Sequence, residues 1–192
     1  MKIVLIGDTQ VGKTCIIRRL SENQFSSNVS ATIGAAFQNH IMQTKKGSVS
    51  FQIWDTAGQE KFRALAPMYY RSASVAILCF DLTNKQTFES LEQWFSELKE
   101  KASHDLRVIV VGTKNDLVDE RVIEENDGIL FARFHGALFY TETSAKTGDG
   151  IIELFTRIAE TADIDVGPII ATEPCIHVNK GEDIENQNSC CK

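Results

Sequence analysis

No apolar stretch in this sequence approaches the roughly 18 residues that a membrane-spanning helix needs. Met1–Ile6 does not read as a secretory signal, because its apolar run stops at Gly7-Asp8 and no cleavage site follows. A basic surface is missing as well. The chain carries a net charge of −6, of which residues 163–192, with six acids and two bases, hold −4, leaving −2 for residues 1–162. Neither part would attract a polynucleotide, so no nucleic acid is expected as a partner. The five cysteines include no C-x-x-C spacing, which speaks against a disulfide framework and a zinc site alike. Cys15 and Cys79 lie in apolar contexts and read as small core residues. His40, His104, His135 and His177 are scattered and form no visible cluster. This usage fits a reducing, cytosolic setting.

What is present suffices for one domain with a sizeable core: 192 residues, 43% apolar and 24% charged. The most specific stretch is Gly7-Asp8-Thr9-Gln10-Val11-Gly12-Lys13-Thr14, which fits G-x-x-x-x-G-K-[ST]. In that pattern consecutive backbone N–H groups curl around a phosphate. Gly7 and Gly12 let the backbone turn tightly and approach the oxygens. Lys13 would reach the β- and γ-phosphates, and the Thr14 hydroxyl would ligate Mg²⁺. Lys2–Ile6 reads as a buried strand and Lys13–Glu22 as a helix, which would place the phosphate at a helix N-terminus. Taken alone, the motif says "nucleotide" and leaves open which base and to what end. The same glycines would also suit an ordinary turn between strand and helix.

Ile3–Ile6, Val75–Phe80 and Val108–Val111 are apolar runs without alternation, the pattern of strands buried on both faces, and Ala137–Tyr140 is a weaker fourth. Val49, Phe51 and Ile53 alternate with Ser48, Ser50 and Gln52. That strand is expected to be exposed on one face and, through a turn at Lys46-Gly47, to pair with a strand at roughly 36–45 as an antiparallel edge hairpin. Helical spacing relates Phe88, Leu91, Trp94, Phe95 and Leu98, after a capping box at Thr83–Gln86. Ile151, Ile152, Leu154, Phe155, Ile158, Ala159 and Ala162 form a second apolar face, and a less regular helix spans roughly 122–135 with Gly128 inside it. Strands alternating with helices give an α/β fold, a doubly wound sheet of about six strands with about five helices. Ligands of such sheets bind at the carboxyl ends of the strands, where Gly7, Asp55, Asp81 and Thr113 would gather. Past Asp163 the periodicity dissolves, so residues 1–162 read as the domain and 163–192 as a flexible tail.

Asp55-Thr56-Ala57-Gly58-Gln59 follows the hairpin strand directly. An Asp there can hold a water of the Mg²⁺ shell, and Gly58 can offer its N–H to a γ-phosphate. The Gln59 amide carries the donor and the acceptor that orienting an attacking water requires. Thr113-Lys114-Asn115-Asp116 follows the run ending at Val111. The Asp116 carboxylate can accept from the N1–H and N2–H₂ of guanine, a pair of donors that adenine lacks. The Lys114 stem can lie along the base plane, and Ser144-Ala145-Lys146 can close the base pocket through backbone N–H groups.

In order, Gly7–Thr14, Trp54–Glu60, Thr113–Asp116 and Glu142–Lys146 resemble the guanine-nucleotide motifs of the Ras superfamily. Ala31–Phe37 (ATIGAAF), Arg63–Arg71 (RALAPMYYR) and the terminal Cys190-Cys191 narrow the resemblance to the Rab family, nearest its endosomal branch. It covers roughly residues 2–162 and the terminal cysteines. The resemblance implies a P-loop NTPase fold with GTP/GDP and Mg²⁺ as cofactors, the metal held by Thr14, Thr32 and Asp55. It implies that Gly7, Asp8, Thr9, Gln10, Val11, Gly12, Lys13, Thr14 and Cys15 bind the phosphates, with Gly58 and Thr32. The base would lie among Thr113, Lys114, Asp116, Ser144, Ala145 and Lys146, with Phe25 stacked edge-on against it. Thr32 would sense the γ-phosphate, and Gln59, Thr32 and Lys13 would form the catalytic set. Residues of roughly 25–37 and 56–71 would be two switch segments, ordered with triphosphate and released after hydrolysis. Phe37, Trp54 and Tyr69 match an aromatic triad read by effectors. Trp54 also falls on the Ser50–Gln52 face of its strand, where an exposed Trp would invite a partner, unless it packs under a neighbouring loop.

Three departures stand out. Thr113 occupies the place of the family's usual Asn, Thr9 that of the Gly found in its fastest hydrolysing members, and the chain begins at its first strand, so contacts from an N-terminal arm are not expected. The chain reads as a Rab-like small GTPase that hydrolyses GTP to GDP slowly, an activating protein supplying the arginine finger that is not evident in cis. It would be a membrane-recruited switch in vesicular and endosomal trafficking, on the cytosolic face of intracellular membranes with a cytosolic pool. The implied partners are effectors, an exchange factor, an activating protein and a GDI-type prenyl-binding escort, and the chain is expected to be a monomer. Ser189-Cys190-Cys191-Lys192 is not C-a-a-X, since Ser189 stands where that motif needs Cys. A vicinal disulfide or a chance pair of cysteines are the plain alternatives; the resemblance implies geranylgeranylation of both thiols. The acidic tail supports a need for both, because one lipid chain binds marginally and no polybasic patch supplies the second signal. Two rivals remain: a module that holds nucleotide without turnover, against which Gln59 and Thr32 speak, and an adenine-nucleotide kinase or ATPase, against which Asp116 speaks.

Overall fold

The computed structural model describes residues 1–45, 47–59 and 66–161. The strands are β1 (Lys2–Ile6), β2 (Ala35–Thr44), β3 (Gly47–Thr56), β4 (Val75–Asp81), β5 (Arg107–Thr113) and β6 (Tyr140–Thr143). The helices are α1 (Lys13–Glu22), α2 (Ala66–Tyr70), α3 (Lys85–Glu89), α4 (Leu91–Lys101), α5 (Glu125–His135) and α6 (Ile151–Thr161). All six strands lie in one sheet in the order β2-β3-β1-β4-β5-β6. β2 and β3 pair antiparallel, with Phe37 opposite Trp54, while every other pairing is parallel. This is the expected α/β sheet with its edge hairpin. Lys46 of the expected turn, residues 60–65 of the second switch motif, Ala162 and the tail of 163–192 lie outside the described residues.

Side chains alternate across a strand, yet Ile3–Ile6 of β1 and Val75–Phe80 of β4 are unbroken apolar runs because both sheet faces are covered. Ile3 and Leu5 pack on one side with Ile16 and Ile17 of α1 and Leu154, Phe155 and Ile158 of α6. Val4 and Ile6 pack on the other with Leu91, Trp94 and Leu98 of α4 and Ala132 of α5. All seven residues of β4 are buried. Among the described residues no helix is long and apolar enough to cross a membrane.

Several elements differ from expectation for local reasons. β6 starts at Tyr140, not Ala137, because the Ala137 N–H donates to Ala132 O at 2.8 Å and completes the end of α5. α5 starts at Glu125 rather than 122, since the N–H groups of Val122 and Ile123 are both drawn to Leu82 O, at 2.9 and 3.2 Å. The cap of α3 is Asn84, whose Oδ1 accepts the Gln86 N–H at 3.0 Å. Thr83 is not free for that role: its N–H and hydroxyl both donate to Asp81 Oδ1, at 2.9 and 2.8 Å. The apolar face of α6 holds except at Ile152, which is exposed.

Candidate functional site

The carboxyl ends of the central strands open onto a cavity of about 570 Å³. The loop that leaves β1 begins at Gly7, whose φ is +139° and where an added Cβ would stand 2.2 Å from Cys79 O. Only glycine fits there. Gln10 takes a left-handed φ of 63°, a conformation that side chains other than Gly, Asn and Asp seldom adopt and that clusters at functional sites. α1 has no side-chain cap and no acid in its first turn. Gly12, Lys13, Thr14 and Cys15 line the cavity, so an uncapped helix N-terminus opens onto it, a ready site for an anion. Lys13 is buried, and its Nζ donates to Gly7 O at 2.7 Å and Asp8 O at 2.6 Å. Burial lowers its pKa, against the pull of the Asp55 and Asp8 carboxylates. Of the two cysteines read as core, Cys79 is fully buried and its thiol pKa is pushed up to about 12 by that burial. Cys15 departs from the core reading: it is half-buried and faces the cavity, because position 15 lies in the first turn of α1.

Three oxygens meet deeper in the cleft. Thr14 Oγ1 donates to Asp55 Oδ2 at 2.6 Å, Thr32 Oγ1 donates to the same atom at 3.2 Å, and the two hydroxyls are 3.0 Å apart. Asp55 is the penultimate residue of β3 and is 4% exposed. Its Oδ1 has no hydrogen-bond partner among the described residues. Burial raises the Asp55 pKa, opposed by the Thr14 hydroxyl, the Lys13 charge and the Thr32 hydroxyl. An unpartnered buried carboxylate oxygen costs free energy unless something cationic meets it. Two hydroxyls and a carboxylate form a hard oxygen donor set, and they fit Mg²⁺. Gly58 lies against the phosphate loop: a Cβ there would stand 2.3 to 2.4 Å from Asp8 C, Asp8 O and Thr9 N. Thr9, Gln10 and Gln59 line the same cavity.

At the other end, Asp116 Oδ1 accepts the Ser144 hydroxyl at 2.6 Å, and Lys146 Nζ lies 3.6 Å from Oδ2. Ser144 Oγ also accepts the N–H groups of Lys146 and Thr147, both at 3.1 Å. Lys114, at φ 63°, places its Nζ 2.5 Å from Asp81 Oδ2. Thr113 Oγ1 lies 2.6 Å from Val11 O and 2.8 Å from Phe80 O, one hydroxyl proton facing two carbonyls. Ala145 and the exposed Phe25 complete the rim. On the flank of the cleft, Trp54 is half-buried and lies in tilted contact between Phe37 at 5.1 Å and Tyr69 at 5.5 Å. It therefore combines the two expectations, lying on the outer face of its strand while packing on neighbouring rings.

The structure thus brings together Gly7–Cys15, Phe25, Thr32, Asp55, Gly58, Gln59, Thr113, Lys114, Asp116 and Ser144–Lys146, while Cys190 and Cys191 lie outside the described residues. Sequence reasoning missed two side chains and one pairing. Asp81 was expected on the rim, but nothing local shows that it receives Lys114. Arg19 donates to Ala145 O at 2.7 Å and to Lys146 O at 2.9 Å, a link across 126 and 127 positions that carries no sequence signal. Trp94 looks like a core aromatic, yet its indole reaches Asp8.

Comparison with known proteins points the same way. The model of the Ras family matches residues 2–163. The chain is 38% identical to the Ras-related protein RABF2b of Arabidopsis thaliana over 190 residues, covering 99% of this chain and 94% of that protein. It is 44% identical to the Ras-related protein Rab-22A of Homo sapiens over 159 residues, covering 83% and 81%. Similarity to the Ras-related protein Rab-37 of Homo sapiens extends over 192 residues at 39% identity, covering 99% and 85%. A family match over most of the chain and relatives at this identity settle the assignment: the chain belongs to the Ras family, as a Rab GTPase of the endosomal branch and a GTP-binding switch in membrane trafficking.

Proposed function

We propose that this cleft holds GTP or GDP with Mg²⁺, that Thr14, Thr32 and Asp55 serve the metal, and that the segment carrying Thr32 reports the nucleotide state. The observation that carries this is the meeting of the Thr14 and Thr32 hydroxyls on one oxygen of a buried, otherwise unpartnered carboxylate. It joins α1, the segment before β2 and the end of β3 at one point. When bound, the metal offsets the charge of the β- and γ-phosphates. The Lys13 ammonium adds a second positive charge beside them, and the α1 N-terminus offers its free N–H groups. Gly58 leaves its own N–H clear for a γ-phosphate because no side chain intervenes. The Gln59 amide accepts from and donates to an attacking water. Asp116, fixed by Ser144, accepts the paired donors of guanine, with the Lys114 stem along the base. Among the described residues no arginine lines the cavity, which supports slow hydrolysis unless an activating protein provides one.

On this reading the protein is a monomer whose Phe37–Trp54–Tyr69 surface is recognised by effectors, with an exchange factor and a GDI-type escort completing its cycle. Cys190 and Cys191 carry two geranylgeranyl groups and hold it on the cytosolic face of endosomal membranes. The test is affinity capture with Gln59→Leu, which favours the triphosphate state, against Thr14→Asn, which favours the diphosphate state. A set of proteins retained by the first, absent from the second and lost on Trp54→Ala is expected. Identical capture by both variants would contradict the switch.

A further inference from the structure

We propose that Trp94 is a positioning residue for the phosphate loop, holding Asp8 so that the Asp8-Thr9 peptide stays seated against Gly58. Trp94 Nε1 donates to Asp8 Oδ1 at 2.8 Å across 86 positions of sequence. The indole is 5% exposed and packs in the cluster that contains Val4, Ile6, Leu91 and Leu98. The donor is therefore anchored in rigid core, while its acceptor lies in the loop. Asp8 is a junction. Its carbonyl accepts from Lys13 Nζ at 2.6 Å, and its carbonyl carbon and oxygen flank the place where a Gly58 Cβ would be, 2.3 and 2.4 Å away. A carboxylate in a loop that receives phosphates is repelled by them. A neutral indole N–H holds that carboxylate by a charge-assisted bond and keeps it off the cavity, whose lining does not include Asp8. Released, Asp8 would turn and carry its peptide with it, and the Gly58 backbone would lose its seat.

This inference rests on Gly58 serving the γ-phosphate. A diphosphate makes no demand on Gly58, so the brace acts on GTP more than on GDP. The experiment is equilibrium binding, in Mg²⁺, of GDP and of a non-hydrolysable GTP analogue to wild type, Trp94→Phe, Asp8→Ala and the double variant, with thermal unfolding of each. Trp94→Phe keeps an aromatic ring in the core and removes the donor. Trp94→Phe is expected to lower the preference for triphosphate by about three- to tenfold, the range of one hydrogen bond to a charged group that is lost in part, and Asp8→Ala, which loses the same bond together with a charge that repels phosphate, by less. The double variant should lose no more than the worse single, because both remove the same bond. Equal weakening of GDP and analogue, or losses that multiply in the double variant, would overturn the proposal and leave Trp94 a packing residue. If Trp94→Phe fails to fold, Asp8→Ala decides: loss of its charge alone would raise the preference for triphosphate, so a lowered preference supports the brace and an unchanged or raised one overturns it. Gly58→Ala is the separate control: undiminished analogue binding there would overturn the γ-phosphate role of Gly58 itself.

Discussion

On the proposed reading, Asp55 lowers the stability of the empty protein and serves the loaded one. Its carboxyl pKa is raised by burial, so the fold favours the protonated form. The associated stability is present below the ordinary value of 3.8 and is lost as pH rises through the higher folded value. At neutral pH the group is thus a burden until a cation meets it. Asp55→Asn should raise the melting temperature of nucleotide-free protein at pH 7, and the gain should vanish as pH falls below 3.8. The same variant should lose the extra stability that Mg²⁺ confers on the nucleotide complex. Thermal scans across pH, with and without Mg²⁺ and GTP, check both halves. In the proposed base pocket, Asp116→Asn places a donor where guanine also donates. GTP affinity should fall at least roughly tenfold, since hydrogen bonds to a charged group are worth about 1.5–3 kcal/mol, and xanthosine triphosphate should gain. Competition binding with the two nucleotides measures the exchange of preference.

At the scale of elements, α5 is the instructive case. Gly128 in its middle costs roughly 1 kcal/mol of helix propensity relative to Ala, so Ala at that position would be stabilising on an isolated helix. Tertiary packing reverses the sign. A Cβ on Gly128 would stand 2.3 Å from the Tyr140 ring, and overpacking of this kind costs about 1–3 kcal/mol. Tyr140 cannot swing aside freely, because its hydroxyl donates to Glu142 Oε1 at 2.7 Å and its ring lies 6.3 Å from Phe80. Gly128→Ala should therefore lower stability, by up to about 2 kcal/mol once the propensity gain is set against the overpacking, in urea unfolding; a more stable variant would show that the ring moves. The same contrast marks what was legible beforehand. β1, β4 and β5 announce themselves by unbroken apolar runs, and the phosphate loop by residues adjacent in sequence. The start of β6 and the cap of α3 were misplaced, because Ala137 and Thr83 spend their hydrogen bonds on neighbours that no periodicity reveals. Trp94 and Arg19 stayed unseen as site residues, and Asp81 unseen as the partner of Lys114, for the same reason: each acts across more than 30 positions.

For the whole molecule, the domain supplies a switch and the tail is proposed to supply its address. With −4 of the chain's −6 net charge in residues 163–192, attraction to anionic lipid cannot hold the protein, and one prenyl chain gives only marginal, reversible binding. Replacing Cys190 or Cys191 by Ser should turn stable attachment into rapidly exchanging attachment. The double replacement should be cytosolic, and wild-type binding should resist high salt. Membrane fractionation reads all three, and a double variant still on membranes would point to another anchor. The switch itself rests on hydrolysis of bound GTP by this cleft. Single-turnover phosphate release from preloaded protein in Mg²⁺, with wild type and Gln59→Leu compared in the presence of excess ATP, tests that most directly. The account predicts slow release by wild type, unaffected by ATP, and markedly slower release by Gln59→Leu with GTP still bound. Equal release by the two proteins, or displacement of GTP by ATP, would contradict it.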